Sequence, residues 1–222
     1  ASWEEIALAK AICEKCDGHL GGYGLAGEAE AISGLSSVLG HSLPQFPVAS
    51  LREAGFALLV ECDPMREHPV AGVELHQLAR RTGKLAIVSN APTKLDGDAA
   101  VRLRPTAGGA TAILSWLLKQ AMEKGSGAWS AVQKGEMLAA LGSIQDADVE
   151  KACGVPPGEL HEIASLLMSA HRPAIVINAA KAGKRLASLA AALAAALSGE
   201  DWPLPLLSLR RSANSYGLSL AK

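Results

Sequence analysis

Two short apolar runs anchor the hydrophobic pattern, Phe56-Ala-Leu-Leu-Val-Glu-Cys62 and Lys84-Leu-Ala-Ile-Val-Ser-Asn90. Neither alternates polar with apolar positions, as expected of strands covered on both faces of a parallel sheet. Their starts lie 28 residues apart (84 minus 56), close to the ~30 that a strand, a crossover helix and a parallel strand consume. Between them the pattern switches to helical spacing. Ala71, Leu75, Leu78 and Ala79 fall on one face of a helix that starts near Pro69, a favoured first helical position, and stops at Gly83. A third short strand is expected at 100–104. Ala110, Ile113, Leu114, Leu117, Leu118 and Ala121 then form one stripe of a long helix ending near Gly125.

The alternation resumes further on. Residues 126–158 read as small helices separated by Gly and Pro, with Trp129, Val132, Met137 and Leu141 as expected anchors. Leu160, Ile163, Ala164 and Leu167 predict an amphipathic helix. A buried strand follows at Pro173-Ala-Ile-Val-Ile-Asn178, then an Ala/Leu helix over 182–197 and a last strand over 204–209. Leu186, Leu189, Leu193 and Leu197 make the stripe of that Ala/Leu helix, its alanines allowing close approach of a neighbour. Upstream, a helical region over 27–39 is joined to the first strand by the proline-containing connector Leu43 to Pro47.

The predicted fold class is α/β, a doubly wound, mostly parallel sheet with helices on both faces. The chain divides into a Rossmann-like α/β half at 1–125, a helical connector at 126–158 and a second α/β portion at 159–222, with one continuous domain left open.

Composition narrows the function classes. With 49% apolar and 19% charged residues among 222, the chain has the make-up of a globular protein and not of a disordered one. The 21 Lys+Arg against 22 Asp+Glu provide no overall basic field for nucleic acid or an anionic membrane, and Trp 4, Tyr 2 and Phe 2 leave few stacking platforms for bases. The apolar stretch Leu186 to Leu197 falls short of the ~20 residues of a membrane span. No export signal opens the sequence. The first residue, Ala1, suggests a piece of something longer.

Several local motifs invite chemistry, and each has a plainer reading. Cys13-Glu-Lys-Cys16 lies late in an amphipathic stretch opened by the capping box Ser2-x-x-Glu5. Helical spacing puts those two thiols on one side without a redox or zinc role, and a reducing compartment is expected. Gly22-Tyr-Gly-Leu-Ala-Gly27 matches a dinucleotide fingerprint but lacks the preceding strand and the acidic residue about twenty positions on, so a glycine-rich entry to a helix is favoured. Histidines at 19, 41, 68, 76, 161 and 171 make no metal-binding pair. His68, beside Glu67 and near Asp63, is read as capping or packing, since no nucleophile elbow accompanies it. Arg210 and Arg211 are read as a solvated pair.

Open α/β sheets bind ligands beyond the carboxyl ends of their strands, which singles out the loops Glu61 to Pro69, Ser89 to Thr93 and Arg104 to Gly109. These are expected side by side. Their polar groups and helix N-terminal amides could hold an anion, or Asp63, Ser89 and Asn90 could be capping and turn residues.

Taken together, these loops resemble the molybdopterin oxidoreductase superfamily, which includes formate dehydrogenases, nitrate reductases and the large G subunit of NADH-quinone oxidoreductase (NADH dehydrogenase). Ala1-Ser-Trp-Glu-Glu5 is similar to the family's Trp-x-Glu helix, Asp63-Pro-Met-Arg-Glu-His-Pro-Val70 to its Asn-Pro…His-Pro-Val loop, Arg104-Pro105 to the start of its Pro-Gly-Thr-Asp loop, and Ala213-Asn-Ser-Tyr-Gly217 to its Asn-x-x-Gly turn. The resemblance implies a fold like the early domains of formate dehydrogenase and DMSO reductase.

In the family, Gly-x-Asn-Pro and Asp-Pro-Arg loops meet the pterin dinucleotide and the Pro-Gly-Thr-Asp carboxylate recognises guanine. Here Glu61-Cys62-Asp63 stands for Gly-x-Asn, Ser89-Asn90-Ala91 for Asp-Pro-Arg, and Gly108 for the guanine-binding Asp. Losing a charge-assisted pair while placing Glu61 near phosphates weakens binding by about 3 kcal/mol or more. The resemblance with these departures implies a vestigial pterin cleft, no cofactor or metal in this chain and no catalytic residue. By this reading iron–sulfur clusters are left to the parent protein, and other subunits of a respiratory or hydrogenase-like complex are its partners. The protein would be cytoplasmic, held at the inner membrane only through those subunits. The large quinone-oxidoreductase subunit is the nearest resemblance. A molybdenum or tungsten enzyme such as formate dehydrogenase, retaining molybdopterin guanine dinucleotide, and a free nucleotide-binding domain are the alternatives.

Overall fold

The computed structural model describes residues 3–18, 26–40, 46–82, 84–124 and 131–210. Helices α1 (Trp3–Lys15) and α2 (Ala26–Leu39) precede a 3-10 turn at Val48–Arg52 and strand β1 (Phe56–Val60). A one-turn helix α3 (Pro64–Glu67) leads into α4 (Pro69–Thr82), β2 (Leu85–Val88), a second 3-10 turn (Asp96–Asp98) and β3 (Val101–Leu103). Helices α5 (Gly109–Lys124), α6 (Ala131–Leu141), α7 (Asp146–Cys153) and α8 (Pro157–Met168) follow, then β4 (Pro173–Asn178), α9 (Ala179–Ala196) and β5 (Leu206–Leu209).

The sheet is five-stranded and all parallel, in the order β3-β2-β1-β4-β5. Its strands come from both the 56–103 and the 173–209 stretches. Every residue of β1, β2 and β4 is buried, which is why these strands lack a polar face. Phe56, Leu58, Val60, Ile175 and Ile177 point to one face and join a core with α2, α5, α8 and α9. Ala57, Leu59, Ile87 and Val176 point to the other, beneath Ala71, Leu75, Leu78 and Ala79 of α4. The doubly wound α/β arrangement predicted from the pattern is the one observed.

Departures from the predicted boundaries have local causes. The Ala/Leu helix starts at Ala179, not at residue 182, because the buried Asn178 caps it: its Oδ1 accepts from the Ala180 amide at 2.8 Å. Gly183 (φ 61, ψ 177) then breaks the helix early. The last strand begins at Leu206 since Leu204 has φ 37 and Pro205 has no amide to contribute. Of the expected anchors in 126–158, Leu141 is buried and Met137 half-buried, Val132 lies in α6, and Trp129 lies outside the residues described. Gly22 to Leu25, Ser2, Arg211 and the 213–217 turn also lie outside them, as does most of the 43–47 connector.

Helix α2 lies against the N-terminal part of α9 at very short range. A Cβ at Gly27 would stand 2.3 Å from the Ala180 carbonyl oxygen, and one at Gly34 would stand 2.1 Å from that of Lys184. Trp116 of α5 is fully buried, with Nε1 donating to Asp146 Oδ1 at 2.8 Å; Asp146 Oδ2 in turn lies 2.8 Å from His161 Nε2. This carboxylate ties α5 to α7 and α8. Asp146→Asn orphans part of that network and is expected to lower unfolding free energy by about 1–2 kcal/mol, read from a urea transition.

Candidate functional site

The strand order fixes where the sheet can hold a ligand. β1 leads to β2 and then β3 on one side, whereas β4 lies on the other side of β1, so the switch point lies between the carboxyl ends of β1 and β4. The three loops singled out from sequence follow β1, β2 and β3 at this same rim, as expected. A fourth segment, Asn178 to Lys181 after β4, joins them there.

Glu61 follows β1 directly and has a left-handed backbone, φ 49, in which glycine would be unstrained. That position is the one the motif resemblance assigns to the family's first glycine. Its amide donates to Val88 O at 2.9 Å, and its Oε1 accepts weakly from the Asn90 amide at 3.4 Å. Burial pushes the Glu61 carboxyl up, against the opposing pull of the Asn90 amide, Lys181 and Arg104. A raised carboxyl favours folding at low pH, and that contribution is lost as pH rises through the folded value. Glu61→Gly relieves both backbone strain and the half-buried charge. It is expected to stabilise the chain by about 1 kcal/mol, more at neutral pH than in mild acid, as read from chemical unfolding at both.

Cys62 is buried, with Sγ 3.7 Å from the Val176 carbonyl, and burial pushes its thiol far up, so it is an inert core group. Asp63 precedes α3 without capping it through its side chain; it faces Arg66 at 3.3 Å and accepts from the Lys94 amide at 3.4 Å. Ser89 Oγ accepts from the Ala91 amide at 3.4 Å, the geometry of a serine turn, and Asn90 is exposed. The turn reading therefore describes what Ser89 does here, and the Asn90 amide donates to Glu61. Gly108 has φ 82 and open space around a would-be Cβ. The 104–109 turn carries no carboxylate and is held by Thr106, whose amide and hydroxyl donate to Cys153 O and Ala152 O at 2.9 and 3.1 Å.

A charged cluster lies at the switch point itself. Glu67, at the end of α3, accepts from Asn178 Nδ2 at 2.6 Å through Oε2 and from Lys181 Nζ at 2.5 Å through Oε1. Burial would raise its carboxyl, but the hydrogen bonds of Lys181 and Asn178 outweigh that and hold it below the usual range. His68 is half-buried, its amide closing α3 onto Pro64 O at 2.8 Å; burial lowers its imidazole against the opposing influence of Glu67 and Glu28. At the β2–β3 side, Arg104 pairs with Asp96 and donates to the carbonyls of Ser89 and Ala91 at 2.8 and 3.0 Å.

This geometry has one chemical consequence. Three cations an anionic ligand would recruit, Lys181, Arg104 and Arg66, each already face a carboxylate of the chain itself, Glu67, Asp96 and Asp63, while the exposed Lys94 side chain beside Asp63 makes no ion pair among the described residues. A diphosphate entering here would have to displace those carboxylates while lying beside Glu61. One unscreened like-charge pair at 4 Å costs about 4 kcal/mol at an effective dielectric of 20. These three carboxylates and Glu61 make the crevice electrostatically unfavourable for a diphosphate. Among the described residues no group of three or more His, Cys, Asp or Glu could hold a metal ion, and no helix is long and apolar enough to cross a membrane.

The held-down carboxyls also set the acid limit of the fold. Burial opposes ionisation of Asp96, but Arg104 and Thr93 outweigh it; Trp116 and then His161 lower Asp146; Glu67 behaves as above. Depressed carboxyls lend stability that is complete above their unfolded values and is lost as pH falls through the folded ones. The contribution of these three carboxyls to the urea midpoint is thus expected to be lost steeply below about pH 4.

No family model matches the sequence, and no curated protein matches it. Solved structures do match by shape. Acetylene hydratase from Pelobacter acetylenicus superposes with a TM-score of 0.59 at 15% identity, over 77% of this chain. The chain spans 24% of the hydratase's length, so the likeness is to one portion of a larger protein and concerns the fold.

Proposed function

We propose that this chain is a scaffold domain of the molybdopterin oxidoreductase type whose pterin cleft has been closed by its own side chains. It would serve as an architectural element of an NADH-quinone oxidoreductase or related electron-transfer assembly, in the place of that complex's large pterin-fold subunit. The observation that carries this reading is the Glu67–Asn178–Lys181 cluster at the switch point, where a chain carboxylate sits on the amide and ammonium groups that would otherwise meet an anion. The left-handed Glu61, in a glycine's place, supports it. Fold likeness to acetylene hydratase, a molybdopterin-family enzyme, supports the family at a coarse level.

The assembly role rests on the motif resemblance alone. On this reading the domain performs no bond-making step. Its residues hold one another: Glu67 clamps α3 to α9, and Arg104 fastens the β2 and β3 loops. A catalytic molybdenum or tungsten oxidoreductase is the rival.

The distinguishing experiment expresses the full-length protein in a host that makes guanylated pterin, then oxidises denatured protein and measures released pterin by fluorescence, alongside molybdenum and tungsten by mass spectrometry. The proposal expects all three at the background of a pterin-deficient host. Stoichiometric pterin assigned to this domain's cleft would restore the enzyme reading.

A further inference from the structure

On the sheet face covered by α5 and α9, an open-sided groove of about 580 Å³ shares no residue with the carboxyl-rim crevice. Its apolar lining comes from Leu141 and Ile144, around the end of α6, and Leu189 of α9; its cationic lip is Lys184 and Arg185, with Ser188 between. The break at Gly183 lies directly before that lip. Both cations are exposed, and neither side chain has an ion pair or hydrogen bond among the described residues. Among the described residues, which include all 22 Asp and Glu of the chain, no carboxylate makes an ion pair with the lip, although Glu30 Oε2 lies 3.7 Å from where a Cβ on Gly183 would stand.

An apolar floor flanked by helices, with two unpaired cations on one edge, is complementary to an amphipathic helix that carries acidic residues beside its apolar face. The open side would leave a small carboxylate largely in water, whereas small-ligand sites enclose most of their ligand. Two cations in a chain of formal charge -1 are too few for an anionic membrane or nucleic acid.

We infer that this groove docks an acidic amphipathic helix of a partner protein. The inference deepens the scaffold reading and rests on it, supplying the kind of contact by which such a domain would be held in an assembly.

The test titrates the chain into a fluorescein-labelled helical peptide with leucine on one face and glutamate along its edge, followed by anisotropy. Controls are the same peptide with glutamine for glutamate, the double variant Lys184→Glu/Arg185→Glu, and Leu189→Glu, each protein checked for an unchanged thermal transition. Docking predicts saturable one-to-one binding that weakens about tenfold or more for the glutamine peptide and for the double variant, and that falls with added salt. It is overturned by absent saturation, by equal binding of the glutamine peptide, or by indifference to charge reversal. Saturable, lip-dependent binding to phosphatidylserine vesicles with none to the peptide would also overturn it, assigning the groove to a lipid surface. Pterin content is read at the carboxyl-rim crevice, which shares no residue with the groove, so loss of docking with a pterin-free cleft sinks only this inference, while a loaded cleft with intact docking sinks only the scaffold reading.

Discussion

Gly34→Ala is expected to lower the thermal midpoint by roughly 5–10 °C, a loss of about 2–3 kcal/mol. Propensity argues the other way: alanine in a helix interior is favoured over glycine by up to about 1 kcal/mol. Geometry decides, because the new methyl would lie 2.1 Å from the Lys184 carbonyl oxygen and 3.0 Å from Ser188 Oγ. The oxygen belongs to backbone that cannot rotate away, so α2 and α9 must part along their shared face. Ser188 Oγ, which donates to Gly34 O and Lys184 O at 3.0 Å each, loses its position as they do. Gly135, which has open space around a would-be Cβ, provides the control. Gly135→Ala should leave the midpoint unchanged or raise it slightly, and equal behaviour of the two variants would disprove the close approach of α2 to α9.

Asn178→Ala should cost about 2–4 kcal/mol, seen as a shifted denaturant midpoint at unchanged slope. One side chain performs two tasks at the end of β4. It caps α9 through the Ala180 amide, and it donates to the Glu67 carboxylate at 2.6 Å. Loss of a cap alone accounts for about 1 kcal/mol, and loss of a hydrogen bond to a charged, partly buried acceptor for about 1.5–3. Asn178→Asp keeps the cap but sets a second carboxylate against Glu67, so it should be nearly as damaging at neutral pH and recover in acid. If Asn178→Ala costs no more than an ordinary cap, the Glu67 contact contributes nothing and the clamp between α3 and α9 is not a clamp.

Much of the fold is legible because buried parallel strands advertise themselves as unbroken apolar runs. β1, β2 and β4 stand out for that reason, and Pro69 and the Ala71–Leu75–Leu78 spacing locate α4. Strand order is not legible. Nothing in the runs of β1 and β4 says that they are neighbours, since pairing between them depends on the register of backbone groups and not on residue type. For that reason the apolar pattern leads to the first three loops but not to Asn178 and Lys181, which lie at the very point where the crevice opens. Their one signal is an Asn closing an apolar strand just before a helix, which reads as a cap. Glu61 can be placed in its loop, but its left-handed backbone cannot be read from its identity, because Glu has no preference for that conformation. Gly34 reads as a helix-weakening residue until the position of α9 is known.

Glu67, Asp63 and Asp96 already face Lys181, Arg66 and Arg104 at the carboxyl rim. Calorimetric titration of the chain with GDP, the guanylyl end of the pterin dinucleotide, asks whether a diphosphate can displace them. Occupied cations give no saturable heat at millimolar nucleotide and low salt; one-to-one binding at micromolar concentration, abolished by Lys181→Ala, would mean that the cleft is open and the scaffold reading wrong.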